Sequence, residues 1–211
     1  MEQEFERRRK ALENAYFHKR DQELMAQMAE RQAKAVRTAQ LAEATGIQNQ
    51  SLLDRLDDLQ IRPETLGALL LVPLVEIAWA DGKMHASQRQ AVLSAAKQAG
   101  LHKNYDAHHL LESWLDAKPD PQLLPAWKQY VCCLSRRMSA QEMQALQDET
   151  MDRALFVAES AGSLFGFHRV TREERIKLDE LSAMLNELAA VFNCPEAAIA
   201  AASRDPVQTN G

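Results

Sequence analysis

Residues 69–93 constrain the fold more than any other part of the sequence. They read LLLVPLVEIAWADGKMHASQRQAVL, so an apolar run stops at Asp81-Gly82 and an amphipathic segment begins a few residues later. The Asp-Gly pair favours a tight turn, because glycine adopts left-handed backbone angles without steric cost. Apolar residues then recur at Val92, Leu93 and Ala96, which is the spacing of a helix with one buried face. The pattern predicts two helices joined by a short polar turn.

The remainder of the chain carries the same helical signal. Only 7 of its 211 residues are glycine and 7 are proline, and these two residues disfavour helix most strongly. Ser139 with Glu142, and Thr171 with Glu174, have the spacing of capping boxes, in which two side chains satisfy free N–H groups at a helix start. The short Val and Ile clusters lie inside helical patterns, so no strand is predicted. We expect an all-α, multi-helix bundle.

Caps and breakers predict where the helices begin and end. Pro63 suits a first helical turn, where its missing N–H costs nothing, and Pro73 should break that helix near Leu69. Gly100 ends a later helix. The predicted helices cover residues 51–60, 63–80, 87–99, 105–115, 122–137, 139–161 and 171–188, with a last short helix from residue 195.

The first 45 residues form a segment of their own. Residues 2–43 contain no glycine or proline, and their nine Lys and Arg residues nearly balance eight Asp and Glu residues, whereas the whole chain carries a net charge of −5. Thr45-Gly46 ends the segment, because glycine is the usual left-handed residue after a helix. We therefore predict an extended charged helix over residues 1–45, a helical domain over 46–203 and a flexible tail over 204–211.

Apolar positions in the N-terminal segment are few and form a thin seam. The candidate partner-binding residues are Phe5, Leu12, Phe17 and Leu24. Apolar anchors at helical spacing are the means by which one helix binds another protein or a second copy of itself. The alternatives are packing on the chain's own helical domain and a solvated helix supported by opposite charges four residues apart.

Charge and hydropathy exclude several classes of protein. A net charge of −5 disfavours nucleic-acid binding, which needs a basic surface. The longest apolar stretch, residues 66–80, has about 15 residues, fewer than the roughly 20 of a transmembrane helix. No apolar segment follows the charged N-terminus, so we expect a cytoplasmic protein with no secretory signal. The three cysteines lack Cys-x-x-Cys spacing and are expected to be reduced thiols.

No catalytic or cofactor motif occurs in the sequence. It contains no nucleophile elbow, P-loop, dinucleotide fingerprint or His-x-x-x-His pair. His108 and His109 are adjacent, so they point to different helix faces and cannot chelate one ion together. The sequence predicts a protein that is not an enzyme, with no catalytic residue and no cofactor.

Residues 63–190 resemble the TerB (tellurite-resistance) family. Domains of that family are all-α and consist of two related helical halves, each with an Ala-Asp-Gly turn and a Glu about seven residues after the Asp. Here residues 80–82 match the turn of the first half, and Gln88 holds its Glu position. In the second half Thr171 and Glu174 match the cap, while Phe167 and His168 replace Asp-Gly. The resemblance implies an interaction module in a cytoplasmic stress-response or envelope-associated pathway.

Some TerB-like proteins are thought to hold a divalent cation with paired acidic turns. The resemblance therefore implies weak candidate metal ligands at Glu76, Asp81 and Glu174, and a cation-responsive binding protein is the alternative function. Hard cations need several oxygen ligands, and each half keeps only one of its two acids. We expect no tight metal site.

Glu76 is the only charged residue between positions 66 and 80. A carboxylate on an apolar helix must find a partner, or its pKa rises. One interpretation is a buried acid at a binding cleft near Asp81. The other is an edge residue paired with an arginine, for which Arg89 and Arg136 are the candidates.

Overall fold

The computed structural model describes residues 1–160 and 170–192, and every regular element in those two ranges is a helix. The all-α prediction is therefore confirmed. The predicted helix from residue 195, the tail over 204–211, and residues 167 and 168 lie outside the described residues. The α-helices are α1 (Glu2–Thr45), α2 (Gln50–Asp58), α3 (Val72–Ala78), α4 (Ala86–Gln98), α5 (Tyr105–Asp116), α6 (Leu123–Ser135), α7 (Ala140–Ser160) and α8 (Arg172–Phe192). Two 3₁₀ helices cover Pro63–Leu71 and Leu101–Lys103.

The chain consists of two compact units, Met1–Asp57 and Asp58–Gly211. The first contains α1, a single helix of 44 residues that extends about 66 Å at 1.5 Å per residue. Gly46 ends α1 as predicted, with φ at 66° and its N–H bonded to the Ala42 carbonyl. An ion pair joins the C-terminal part of α1 to α2: Arg37 Nε and Nη2 donate to the two carboxylate oxygens of Asp57 at 2.8 and 3.1 Å.

The second unit is organised around α3. This helix contacts α4, α6, α7 and α8, and all of its residues except Glu76 are buried. The preceding segment, Pro63–Leu71, is a 3₁₀ helix rather than the start of a longer α-helix. The break expected near Leu69 is present, and Leu69 O accepts its hydrogen bond from Val72 N. Pro73 then occupies the first turn of α3, where a backbone N–H has no helical partner to lose.

Packing of the remaining helices follows their apolar faces. Leu178, Leu181, Leu185 and Leu188 of α8 are all buried, and α8 packs on α3, α6 and α7. A buried polar contact fixes α7 against α8, because Gln147 Nε2 donates to the Leu185 carbonyl at 2.6 Å. Among the described residues, no helix has the length and apolar character required to cross a bilayer.

Candidate functional site

Asp81 caps the turn that follows α3. Gly82 has φ at 82°, and its N–H bonds to Trp79 O at 2.9 Å. One Asp81 carboxylate oxygen accepts from Lys83 N and the other lies 2.9 Å from His85 Nε2. Desolvation opposes ionisation of Asp81, but the hydrogen bonds from His85 and Lys83 outweigh it and lower its pKa. Both carboxylate oxygens already have partners within the turn.

Gln88 and Glu174 meet in the interior of the second unit. Gln88 Nε2, on α4, donates to Glu174 Oε1 on α8 at 2.6 Å, across 86 positions of sequence. Both residues are 1% exposed. The other amide atom, Gln88 Oε1, has no hydrogen-bond partner among the described residues. These are the two positions that the TerB resemblance assigns to the acid of each half.

Glu174 also caps α8. Its second oxygen, Oε2, accepts from Thr171 N at 2.6 Å, and Glu174 N donates to Thr171 Oγ1 at 3.2 Å. This is the predicted capping box, and the same reciprocal pair occurs at the start of α7 between Ser139 and Glu142. The two boxes differ in burial, because Glu174 is buried whereas Glu142 is exposed. One carboxylate thus serves as a helix cap and as a link between α8 and α4.

Glu76 lies in a shallow groove between α3, α6 and α8. The groove is lined by Pro73, Glu76, Ile77, Leu124, Lys177, Glu180, Leu181 and Met184. Desolvation raises the pKa of Glu76, and the positive charges of Lys177 and Lys118 partly offset that rise. Arg89, one of the expected partners, instead donates to Asp116 at 2.6 Å. Glu180 of α8 adds to the rise. The charges that act on Glu76 therefore come from other parts of the fold, and the sequence did not indicate them.

The three weak metal candidates do not form a metal site of recognisable composition. Within residues 1–160 and 170–192, no group of three or more His, Cys, Asp or Glu side chains is arranged to hold an ion. The oxygens of Asp81 and Glu174 accept hydrogen bonds from protein donors. A role for Glu76, Asp81 and Glu174 in cation binding stays a prediction.

A surface hollow of about 470 Å³ lies between the first 3₁₀ helix and α5. The rings of Tyr105 and His109 stack at its edge with centroids 6.1 Å apart, and Tyr105 is 80% exposed. The lining of the hollow carries charges of both signs, from Arg62, Glu64 and Asp106. We find no converging set of donors in it that would select a ligand, and no sequence motif pointed to it.

The predicted partner-binding residues lie along α1. Phe5 is 70% exposed, Phe17 61% and Leu24 44%; the side chain of Leu12 lies outside the described residues. Further apolar side chains left exposed on α1 were not among the predicted anchors: Tyr16, Met25, Met28 and Val36. The signal for Met28 was that Met28, Ala35 and Ala42 follow one another at intervals of seven residues. Among the described residues of α1, most large apolar side chains are thus exposed to solvent.

Comparisons with known proteins leave the family open. The chain matches no protein-family model, no curated protein and no solved structure.

Proposed function

We propose that this protein is a non-enzymatic, TerB-like helical interaction module that binds another polypeptide chain through α1. One observation carries the proposal. Large apolar side chains of α1 are exposed along a helix of 44 residues, although burial of such side chains is the main favourable term in folding and association. Exposed apolar surface of this kind is typical of protein-binding sites.

The described part of α1 is also suited to present that surface. Within residues 3–33, every side chain that the structure describes is exposed. The C-terminal turns are held differently: Thr38, Leu41 and Thr45 are buried, and Arg37 binds Asp57. A helix fixed at one end and exposed over the rest offers its apolar face without prior unfolding.

The TerB-like part of the proposal is supported by the contact between Gln88 and Glu174. In two related halves packed about a pseudo-two-fold axis, equivalent positions near that axis lie close to each other. The alignment of the halves makes Gln88 and Glu174 equivalent. Their hydrogen bond at 2.6 Å fits that arrangement. The proposed setting, a cytoplasmic stress-response or envelope-associated pathway, depends on the resemblance alone.

Site-specific photo-crosslinking in the cells that naturally make the protein tests the proposal. A photoreactive amino acid replaces Met28 on the apolar face, and in a matched control it replaces Lys19, which is exposed on the opposite side of the helix, about 180° from Met28. We expect covalent adducts from position 28 and far fewer from position 19, because only the apolar face is bound. Mass spectrometry then identifies the captured chain. No adduct from position 28, or equal yields from both positions, would contradict binding through this face.

A further inference from the structure

Six exposed residues of α1 recur at alternating steps of four and three. They are Phe17, Asp21, Leu24, Met28, Arg31 and Ala35, and we call them the α1 seam. Steps of four and three keep residues on one stripe of a helix, which is the geometry by which two helices pair in a coiled coil. The stripe is apolar at four of its six positions and carries one charge of each sign.

The two charges of the α1 seam have no partner within the described chain. Neither Asp21 nor Arg31 makes a hydrogen bond or ion pair with any described residue, whereas some other charges of α1 do. Arg20 lies 3.7 Å from Glu23, and Arg37 lies 2.9 Å from Glu30. Asp21 and Arg31 therefore lie on the apolar stripe as two unpaired charges of opposite sign.

We propose that the α1 seam binds the α1 seam of a second copy of this chain in antiparallel orientation, an inference that rests on the proposed function. With the two-fold axis beside Ala26, Leu24 packs on Met28 of the second copy. Asp21 then faces Arg31 of the second copy, and Phe17 faces Ala35. Symmetry makes each contact occur twice. The sequence is thus self-complementary when it is reversed, in charge and in side-chain size.

Other registers lose the charge pairing. In a parallel pair, Asp21 would face Asp21 and Arg31 would face Arg31, and like charges at facing seam positions are unfavourable. Sliding the antiparallel pair by one heptad in one direction places Asp21 against Leu24, and sliding it in the other places Arg31 against Met28. Each shift buries a charge against an apolar side chain without a partner. One register therefore satisfies both seam charges.

The residues beside the seam modify this pairing only slightly. Met25, 68% exposed, meets Met25 of the second copy next to the axis and adds apolar contact. Arg20 comes opposite Lys34 of the second copy, which is unfavourable. Like-charge pairs on exposed helix surfaces cost only a few tenths of a kcal/mol, and Glu23 lies near Arg20 in the same chain. The flanking repulsion is therefore smaller than the combined gain from the apolar layers and two paired seam charges.

A charge-reversal cycle in the full-length chain tests the orientation. Sedimentation equilibrium measures the dimer dissociation constant of the wild type and of Asp21→Arg, Arg31→Glu and the double variant. Each single reversal places like charges in two layers, so we expect the constant to rise about tenfold or more. The double variant restores both pairs with the signs exchanged, and its constant should return to within about threefold of wild type. Lys19→Glu, the matched control for Arg31→Glu, changes the same charge outside the seam and should leave the constant within about twofold.

The outcomes separate this inference from the proposed function. A parallel pair already opposes like charges, so it would respond little to single reversals, and the double variant would give no rescue; that result overturns the antiparallel register. A wild-type chain that stays monomeric at about 100 µM, well above typical cellular affinities, overturns self-association altogether. In that case an adduct from position 28 with a different protein would still support the proposed function. Absence of any adduct would overturn both.

Discussion

Gln88 connects two parts of the second unit that are far apart in sequence. Its amide donates to Glu174, and both side chains are removed from solvent. An amide is the group that suits this position, because it donates a hydrogen bond to the carboxylate without carrying a charge. A second carboxylate there would face Glu174 at hydrogen-bond distance, and two carboxylates in such a site cannot both ionise. The residue that departs from the family pattern is thus the one that the local electrostatics favour.

This gives a pH-dependent prediction for Gln88→Glu. The introduced carboxyl should keep a proton in the folded state, so its folded pKa lies above its unfolded pKa, which is near 4.3. A raised folded pKa means that stability is lost as pH rises through it. We expect the free energy of unfolding to fall by about 2 kcal/mol relative to wild type at pH 8, and by clearly less at pH 5. Urea unfolding at the two pH values measures this.

Gln88→Met serves as the control for that experiment. It removes the same hydrogen bond but adds no ionisable group, so its destabilisation should differ little between pH 5 and pH 8. Equal losses for Gln88→Glu at both pH values would mean that the two side chains separate in solution rather than share a proton.

Glu76 supplies a second prediction at this scale. Desolvation raises its pKa in the folded protein. Stability is therefore lost as pH rises through that pKa, as for Gln88→Glu, because the ionised form of Glu76 opposes folding. Glu76→Gln should therefore raise the free energy of unfolding at pH 8 by about 0.5 kcal/mol, a small figure because the residue is only half-buried, and should leave it nearly unchanged at pH 4. A decrease at pH 8 would show that the attraction of Lys177 and Lys118 exceeds the desolvation penalty.

At the scale of helices, capping residues decide where elements begin. Thr171→Ala removes the hydroxyl that accepts from Glu174 N, and we expect the free energy of unfolding to fall by about 1 kcal/mol with no change in helix content. Thr171→Ser keeps the hydroxyl and should retain most of that stability. Chemical denaturation followed by circular dichroism measures both variants. Equal unfolding midpoints for Thr171→Ala and wild type would show that this cap contributes little to the stability of the protein.

Capping residues and glycines allowed several helix boundaries to be predicted from the sequence. Gly46, Ser139 and Thr171 each mark a helix boundary in the sequence, and the structure places a helix end or start at each one. The stretch before Pro73 was predicted as helix with a break, but its 3₁₀ form was not predicted. This 3₁₀ segment packs against α5 and α4, and the local sequence does not indicate those contacts.

The candidate site was less predictable because its contacts are not local. Gln88 and Glu174 are 86 positions apart, and apart from the resemblance of the two halves nothing in the sequence indicates that they are close in space. The lysines around Glu76 come from other elements of the fold, whereas the sequence pointed to Arg89 and Arg136. Phe5, Phe17 and Leu24 were predicted as partner-binding residues, with packing on the chain's own helical domain left open, and the structure leaves their side chains exposed. A charged segment with few apolar residues cannot bury a wide face.

At the scale of the whole molecule, the question is how much of α1 the fold requires. Leu41 is fully buried, and Thr38 is 4% exposed. Arg37 forms a bidentate ion pair with Asp57, whose side chain is 3% exposed. Removing a buried leucine costs about 2–5 kcal/mol, and leaving a buried carboxylate without its arginine costs about 3–5 kcal/mol. Residues 37–45 therefore stabilise the chain, whereas the described side chains before residue 34 are exposed.

Two truncations separate these roles. Deleting residues 1–29 removes Phe17, Leu24 and Met28 but keeps Arg37 and Leu41, so the free energy of unfolding should stay within about 0.5 kcal/mol of the full-length value while self-association is lost. Deleting residues 1–43 also removes the buried contacts and should lower the free energy of unfolding by about 5 kcal/mol or more. Urea denaturation gives the stabilities and light scattering gives the masses. If both truncated proteins unfold at the full-length midpoint, the contacts of Arg37 and Leu41 contribute little to stability. If the shorter deletion alone produces a molten or insoluble chain, the exposed part of α1 belongs to the folded core and cannot act as a binding surface.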